Sequence, residues 1–204
     1  MKVLSALQFI IITCFIFFSQ TRSQAVQSSF PVTNGNVYAI ASSGSTVFLG
    51  GNFTYISPYS GNGVAINTAT GNVINTFPTV TTPSTGITSV VPDGAGGFYI
   101  GGNFTQINGT SRTYIARLNS DGSLNAWNPV LNGSVSAIDI SSDNNTIYVA
   151  GGFTQVNSTT RNHLAALSAA DGSLTSWNPG LSGGNINAIS LSTSGTIYVV
   201  GSFT

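Results

Sequence analysis

The chain has 204 residues, 41% of them hydrophobic and only 5% charged, and its five basic and five acidic side chains give a formal net charge of zero. So few cations cannot form a basic face, which excludes nucleic-acid binding through phosphate neutralisation, and no polybasic or amphipathic segment is present to hold a membrane surface. Low charge signals disorder only where apolar content is also low; here Ile, Val, Leu, Phe, Tyr and Trp recur in short blocks, as in a packed domain.

Met1-Lys2 is followed by a nearly unbroken apolar run from Val3 to Phe18 and then by polar residues with small side chains at Thr21, Ser23 and Ala25. A basic start, an apolar stretch of this length and a small-residue exit predict a secretory signal peptide over residues 1–23, with cleavage after Ser23 or after Ala25. A spanning helix needs ~20 apolar residues, and Cys14 lies inside the apolar run, where lipidation would be out of place. Removing the leader leaves no cysteine, lysine or glutamate, and three arginines less five aspartates give −2. The expectation is an Asn/Ser/Thr-coated extracellular protein without disulfides, with no membrane insertion once the leader is cleaved.

From Ser28 onward the chain repeats itself. An aromatic followed at once or one residue later by proline occurs at Phe30-Pro31, Phe77-Pro78, Trp127-Asn128-Pro129 and Trp177-Asn178-Pro179. Proline, lacking an amide hydrogen, marks there the end of an outer strand. A first strand follows each time, over Val37 to Ala41, Ile87 to Val91, Val135 to Ile140 and Ile186 to Leu191, and then a turn such as Pro92-Asp93-Gly94 or Ser142-Asp143-Asn144-Asn145.

The second strand is the most regular element. It reads Val-Phe-Leu-Gly-Gly-Asn-Phe-Thr at Val47–Thr54, Phe-Tyr-Ile-Gly-Gly-Asn-Phe-Thr at Phe98–Thr105, Ile-Tyr-Val-Ala-Gly-Gly-Phe-Thr at Ile147–Thr154 and Ile-Tyr-Val-Val-Gly-Ser-Phe-Thr at Ile197–Thr204. The phenylalanines Phe53, Phe104, Phe153 and Phe203 stand 51, 49 and 50 residues apart. The apolar run does not alternate, so both faces of this strand are expected to be buried, and the Gly-Gly pair implies a bulge or a close backbone approach. A polar loop leads to a third strand over Val64 to Ile66, Tyr114 to Leu118 and His163 to Leu167. The Asp121-Gly122 and Asp171-Gly172 turns then lead to a fourth, Leu124 to Trp127 and Leu174 to Trp177.

Four antiparallel strands in about 50 residues match the blade of a β-propeller, whose kelch-type repeats have periods of ~50 and WD-type repeats ~40 to 45. The expected fold is therefore all-β, a β-propeller of four-stranded antiparallel blades with repeats at about 36–78, 86–129, 134–179 and 185–204, preceded by an outer strand near 28–31. The last repeat stops after its second strand, so about three and a half blades are present and an incomplete propeller is expected within 24–204.

Gly101 to Pro129, with its run Gly-Gly-Asn-Phe-Thr-Gln-Ile-Asn-Gly-Thr-Ser-Arg-Thr-Tyr-Ile-Ala-Arg-Leu-Asn-Ser-Asp-Gly-Ser-Leu-Asn-Ala-Trp-Asn-Pro, resembles the delta-60-type β-propeller repeat of secreted bacterial proteins. The likeness is close over residues 98–204 and looser over 36–97, where Thr70-Gly71 replaces Asp-Gly. It implies a multi-blade propeller in a large surface or exported protein, and it brings no catalytic residues with it.

A scaffold residue recurs in every blade, whereas a reaction centre is needed once. By that criterion Asp121 and Asp171 are turn residues, and Ser120-Asp121-Gly122 departs from the sialidase Asp-box, in which a residue separates Asp from Gly. Arg112 and Arg161 recur before the third strand and are expected to bond loop carbonyls within the blade, with anion recognition as the lesser reading. His163 stands where Tyr114 stands and reads as a strand-edge residue. No zinc set, calcium cage, nucleophile elbow or phosphate loop is encoded, so no catalytic, metal or cofactor residue is assigned.

Asn52, Asn103, Asn108, Asn132, Asn144 and Asn157 open Asn-x-Ser/Thr sequons, acceptors only in a pathway that glycosylates them. The unrepeated features are Tyr55, Tyr59, Arg117, Asp139 and Pro83-Ser84-Thr85. Together these predict a secreted or cell-surface, non-catalytic segment for binding, adhesion or spacing, its partner an extracellular glycan or protein. The alternative is the N-terminal part of a glycan-active or oxidase-like propeller enzyme with its catalytic residues in further blades.

Overall fold

A computed structural model describes residues 33–56, 59–76, 78–82 and 86–203, with residues 55, 56, 59 and 60 described by their backbone alone. The expected leader, the expected outer strand near Phe30-Pro31, Phe77, residues 83–85, Thr204 and the side chains of Tyr55 and Tyr59 lie outside the described residues. Every regular element among those described is a strand.

Each of the three full repeats builds one antiparallel sheet. The first pairs Val37–Ser43, Thr46–Gly51, Gly63–Asn67 and Val73–Ile74 in chain order; the second pairs Gly86–Pro92, Phe98–Asn103 and Ile115–Leu118; the third pairs Val135–Ile140, Thr146–Gly151 and Leu164–Ser168. Ile186–Leu191 and Ile197–Gly201 form a fourth, two-stranded sheet. The first strands of successive sheets pack side by side, each against the next, so they form the inner edge of an open radial array.

The core lies between sheets. Phe48, Ala65, Val80 and Ile87 meet Phe98, Ile100, Phe104, Ile107 and Leu118 where the first two blades face one another, with the Phe48 and Phe98 rings 5.5 Å apart. The other side of the second blade gives Tyr99, Ile115 and Trp127 to a cluster with Val135, Ile147, Val149, Phe153 and Leu167. Phe98–Asn103 is thus buried on both faces, and Phe53, Phe104 and Phe153 are at most 1% exposed. Burial of each such ring contributes roughly 1.5 to 3 kcal/mol.

The glycine pairs have distinct tasks. A Cβ on Gly50 or Gly101 would stand 2.4 Å from Ile87 Cγ2 or 2.6 Å from Val135 Cγ1, so this position admits the next blade. A Cβ on Gly51, Gly102, Gly151 or Gly201 would stand 2.1–2.2 Å from the carbonyl oxygen of Asn36, Gly86, Ser134 or Asn185, within the same blade. Those carbonyls come so close because each first strand carries a β-bulge there, between Val37 and Ala39, Ile87 and Ser89, Val135 and Ala137, and Ile186 and Ala188.

Two features differ from the sequence expectation. The fourth strand of the second and third blades is a single bridge, Leu118 to Leu124 and Leu167 to Leu174. The Asn125 and Thr175 amides still donate to the third strand, to Arg117 O and Ala166 O. Their carbonyls are taken by Arg112 and Arg161, however, and their side-chain oxygens accept the Trp127 and Trp177 amides, which turns the backbone out of the ladder.

The polar loop is also structured. Gln106–Ile107 with Thr110–Ser111, and Gln155–Val156 with Thr159–Thr160, are two-residue hairpins whose central residues Asn108-Gly109 and Asn157-Ser158 all have positive φ, the signature of a tight primed turn. Each hairpin pairs back onto the segment entering its own blade, Ile107 with Val80 and Val156 with Leu131.

Candidate functional site

The polar residues singled out in the sequence are held within the scaffold. Asp121 accepts the Ser123 amide and hydroxyl, and Asp171 accepts the Ser173 amide, with Gly122 and Gly172 at positive φ beside them. Serine hydrogen bonds hold both carboxyls below the usual range, and bonds from Ser141 and then Asn145 hold Asp143 at about 2. Arg112 and Arg161 donate from Nη2 to Asn125 O and Thr175 O at 3.0 and 3.2 Å, as equivalent residues should. Desolvation lowers the Arg112 pKa.

His163 and Tyr114 share a position just before the third strand, both at positive φ, and both donate their amide to the carbonyl of the phenylalanine that follows the second strand, Phe153 and Phe104. His163 Nδ1 lies 3.1 Å from Gly151 O. The sequon asparagines are largely clasps: Asn132 Oδ1 accepts the Thr154 and Gln155 amides, while Asn108 and Asn157 use Oδ1 to accept the amides of Thr79 and Val130 in the preceding linker.

The unrepeated charges are also committed. Arg117 donates from Nε and Nη2 to Asp93 Oδ2 at 2.9 and 2.8 Å, while Asp93 Oδ1 accepts the Ala95 and Gly97 amides. The Arg117 guanidinium also lies 5.4 Å from the centre of the Tyr99 ring, which meets Trp127 edge-on at 5.0 Å. Burial raises the Tyr99 pKa, with the Arg117 charge opposing and the Asp93 charge adding to it. Asp139 Oδ2 accepts the Leu191 amide at 2.7 Å and so ties the third inner strand to the fourth. No group of three or more metal-binding side chains occurs among the described residues.

What the inner strands bring together is a cleft of about 380 Å³ lined by Tyr38, Thr88, Asn103, Ser134, Val135, Ser136 and Asn187. Tyr38, Thr88, Ser136 and Asn187 are the four bulge residues, one from each blade. The bulge breaks the two-residue alternation and re-aims the extra side chain, here toward the inner edge of the array. Thr88 Oγ1 donates to Val135 O at 2.7 Å and Ser89 Oγ accepts the Ile138 amide at 3.0 Å, which fixes the second inner strand against the third beside the cleft.

None of these four residues is marked by the sequence reading above. The available signal is the frame Val/Ile-x-Ala/Ser-Ile/Val at Val37–Ile40, Ile87–Val90, Val135–Ile138 and Ile186–Ile189, in which x runs through Tyr, Thr, Ser and Asn while the flanking positions stay apolar apart from Ser89.

Comparison with known proteins agrees with the architecture. A family described as a domain of unknown function (DUF5122) beta-propeller matches residues 99–126 and 143–174, two segments that each run through a third strand and its Asp-Gly turn. A crystal structure of the computationally designed Ika4 protein superposes with a TM-score of 0.52 at 15% identity, over 83% of this chain and 93% of that one. No curated protein matches. At that identity the second likeness speaks to fold alone, and with the repeat match and the antiparallel sheets it leads to one statement: this chain is an all-β, β-propeller repeat protein.

Proposed function

We propose that this is a secreted or cell-surface, non-catalytic propeller segment of the delta-60 type, serving as a binding or adhesion module. The observation that carries the reading is the commitment of the five aspartates to turn, ion-pair and strand-tying bonds, beside a cleft lined by uncharged side chains that differ from blade to blade. A scaffold that repeats its framework and varies an inward-facing position from blade to blade is suited to presenting a recognition surface. Export is supported by the residue pattern of the first 23 positions.

Expressing the full chain with its own N-terminus in a bacterial host, followed by N-terminal sequencing, tests the address. The expected product lies outside the cytoplasm and begins at Gln24 or Val26, whereas an intact chain retained in the cytoplasm would refute export. The purified protein applied to arrays of extracellular glycans and proteins is expected to be retained by a defined subset. Uniform absence of retention would favour a spacer and overturn the binding reading.

A further inference from the structure

We propose that the cleft of Tyr38, Thr88, Ser136 and Asn187 is a site for a neutral, hydroxyl-rich ligand, a saccharide, with Tyr38 as the ring that the sugar face covers. This deepens the binding-module reading and rests on it.

The cleft has the size of a small-ligand site, for which ~300 to 1,000 Å³ is usual. Its lining offers hydroxyl and amide groups from Thr88, Ser134, Ser136 and Asn187, and no lining side chain is charged. An ionic ligand entering it would lose hydration without meeting an opposite charge. A polyol exchanges its water contacts for amide and hydroxyl partners of equal polarity.

Tyr38 adds what a purely polar cleft lacks. The residue is 46% exposed, so an apolar ring with a polar tip is available to an incoming ligand. Thr88, with its hydrogen already given to Val135 O, can meet a ligand hydroxyl only as an acceptor. Asn187 supplies both donors and an acceptor from the exposed bulge of the fourth sheet.

Apart from the Thr88 bond to Val135 O, the pattern across blades argues against a purely structural role for these side chains. On either side of the bulge the residues stay Val or Ile, Ala or Ser, and Ile or Val, as packing between blades requires, while the bulge itself holds Tyr, Thr, Ser and Asn. A position needed for folding alone would repeat with the frame around it.

The test is calorimetric titration of the full chain with neutral oligosaccharides of glucose and N-acetylglucosamine, and with an acidic oligogalacturonate as the charged comparator. At least one neutral oligosaccharide should bind, with affinity insensitive to added salt because no charge pair is involved. Tyr38→Ala and Asn187→Ala should each weaken it by about tenfold or more with an unchanged melting temperature. If Tyr38→Ala lowers the melting temperature, Asn187→Ala at its exposed position decides the matter alone. Neutral-sugar binding that both variants leave intact, or binding of the acidic comparator only, overturns the proposal. Retention of a protein partner with no sugar bound overturns it too, while leaving the binding-module reading standing.

Discussion

Ala150-Gly151-Gly152 allows two methyl groups to be added to adjacent residues with opposite results. A Cβ on Gly151 would stand 2.1 Å from Ser134 O and 2.9 Å from Val135 Cα, both backbone atoms of the paired strand at its bulge. Van der Waals contact between carbon and oxygen needs more than 3 Å, so the strands must part by about 1 Å at the point that aims Ser136 into the cleft. Forcing such a shift costs about 1 to 3 kcal/mol, with more possible where backbone is displaced. A Cβ on Gly152 would meet only Ser134 Oγ, at 3.5 Å, and that glycine is not at positive φ. There the alanine mainly restricts the unfolded chain and adds roughly 0.4 to 1 kcal/mol of stability. Thermal unfolding by circular dichroism reads both, at about 2 to 4 °C per kcal/mol for a chain of this size. Gly151→Ala should melt lower and Gly152→Ala unchanged or higher; the reverse order would refute the assignment of the bulge and of the two glycines.

Trp127 Nε1 donates to Ser168 O at 2.9 Å across the second and third blades, and the ring is 3% exposed; Trp127→Phe should cost about 1 to 3 kcal/mol by urea unfolding, and the half-buried Trp177 changed to Phe should cost less. Asp143 has its folded pKa lowered to about 2 from 3.8, so the stability it adds is present above about pH 4 and lost as pH falls toward 2. The melting temperature should therefore drop across that window, less so in Asp143→Asn, and an acid profile identical in the variant would contradict the hydrogen-bond assignment. Tyr99 has its pKa raised by burial, so its contribution is present below about pH 10 and lost above it; Tyr99→Phe should resist alkaline unfolding better than the parent. Adding a chelator should leave the melting temperature unchanged, because no group of three or more metal-binding side chains occurs among the described residues; a lower melting temperature, as a metal-dependent fold would show, would refute this.

The parts of the fold legible in the sequence are those with short-range, strictly repeated causes. Phe53, Phe104 and Phe153 are in phase because each seals the end of the same strand, and the Asp121-Gly122 and Asp171-Gly172 turns write their geometry into adjacent residues. The reduced fourth strand is hidden because its fate depends on Arg112 and Arg161, 13 and 14 residues away, competing for carbonyls that a ladder would use. The hairpins at Asn108-Gly109 and Asn157-Ser158 are too short to show periodicity, although Asn-Gly between Ile107 and Thr110 is a turn signal in its own right.

The cleft is harder still to read from sequence. Its residues are found by where the repeat fails to repeat, and a bulge, being a two-against-one pairing with a partner strand, leaves no local mark. The sequence frame aligns Tyr38, Thr88, Ser136 and Asn187, but only register across the sheets shows each of them to be the bulged residue.

The most direct test of this account, in which repeated residues build the scaffold and the varying bulges recognise, is an amide-resolved nuclear magnetic resonance titration of the full chain. The titrant is the neutral oligosaccharide selected by calorimetry. The account predicts shift changes concentrated at residues 38, 88, 134–136 and 187, with the Asp-Gly turns at 121–123 and 171–173 unmoved. Shifts centred on those turns, with the four bulge amides silent, would contradict it.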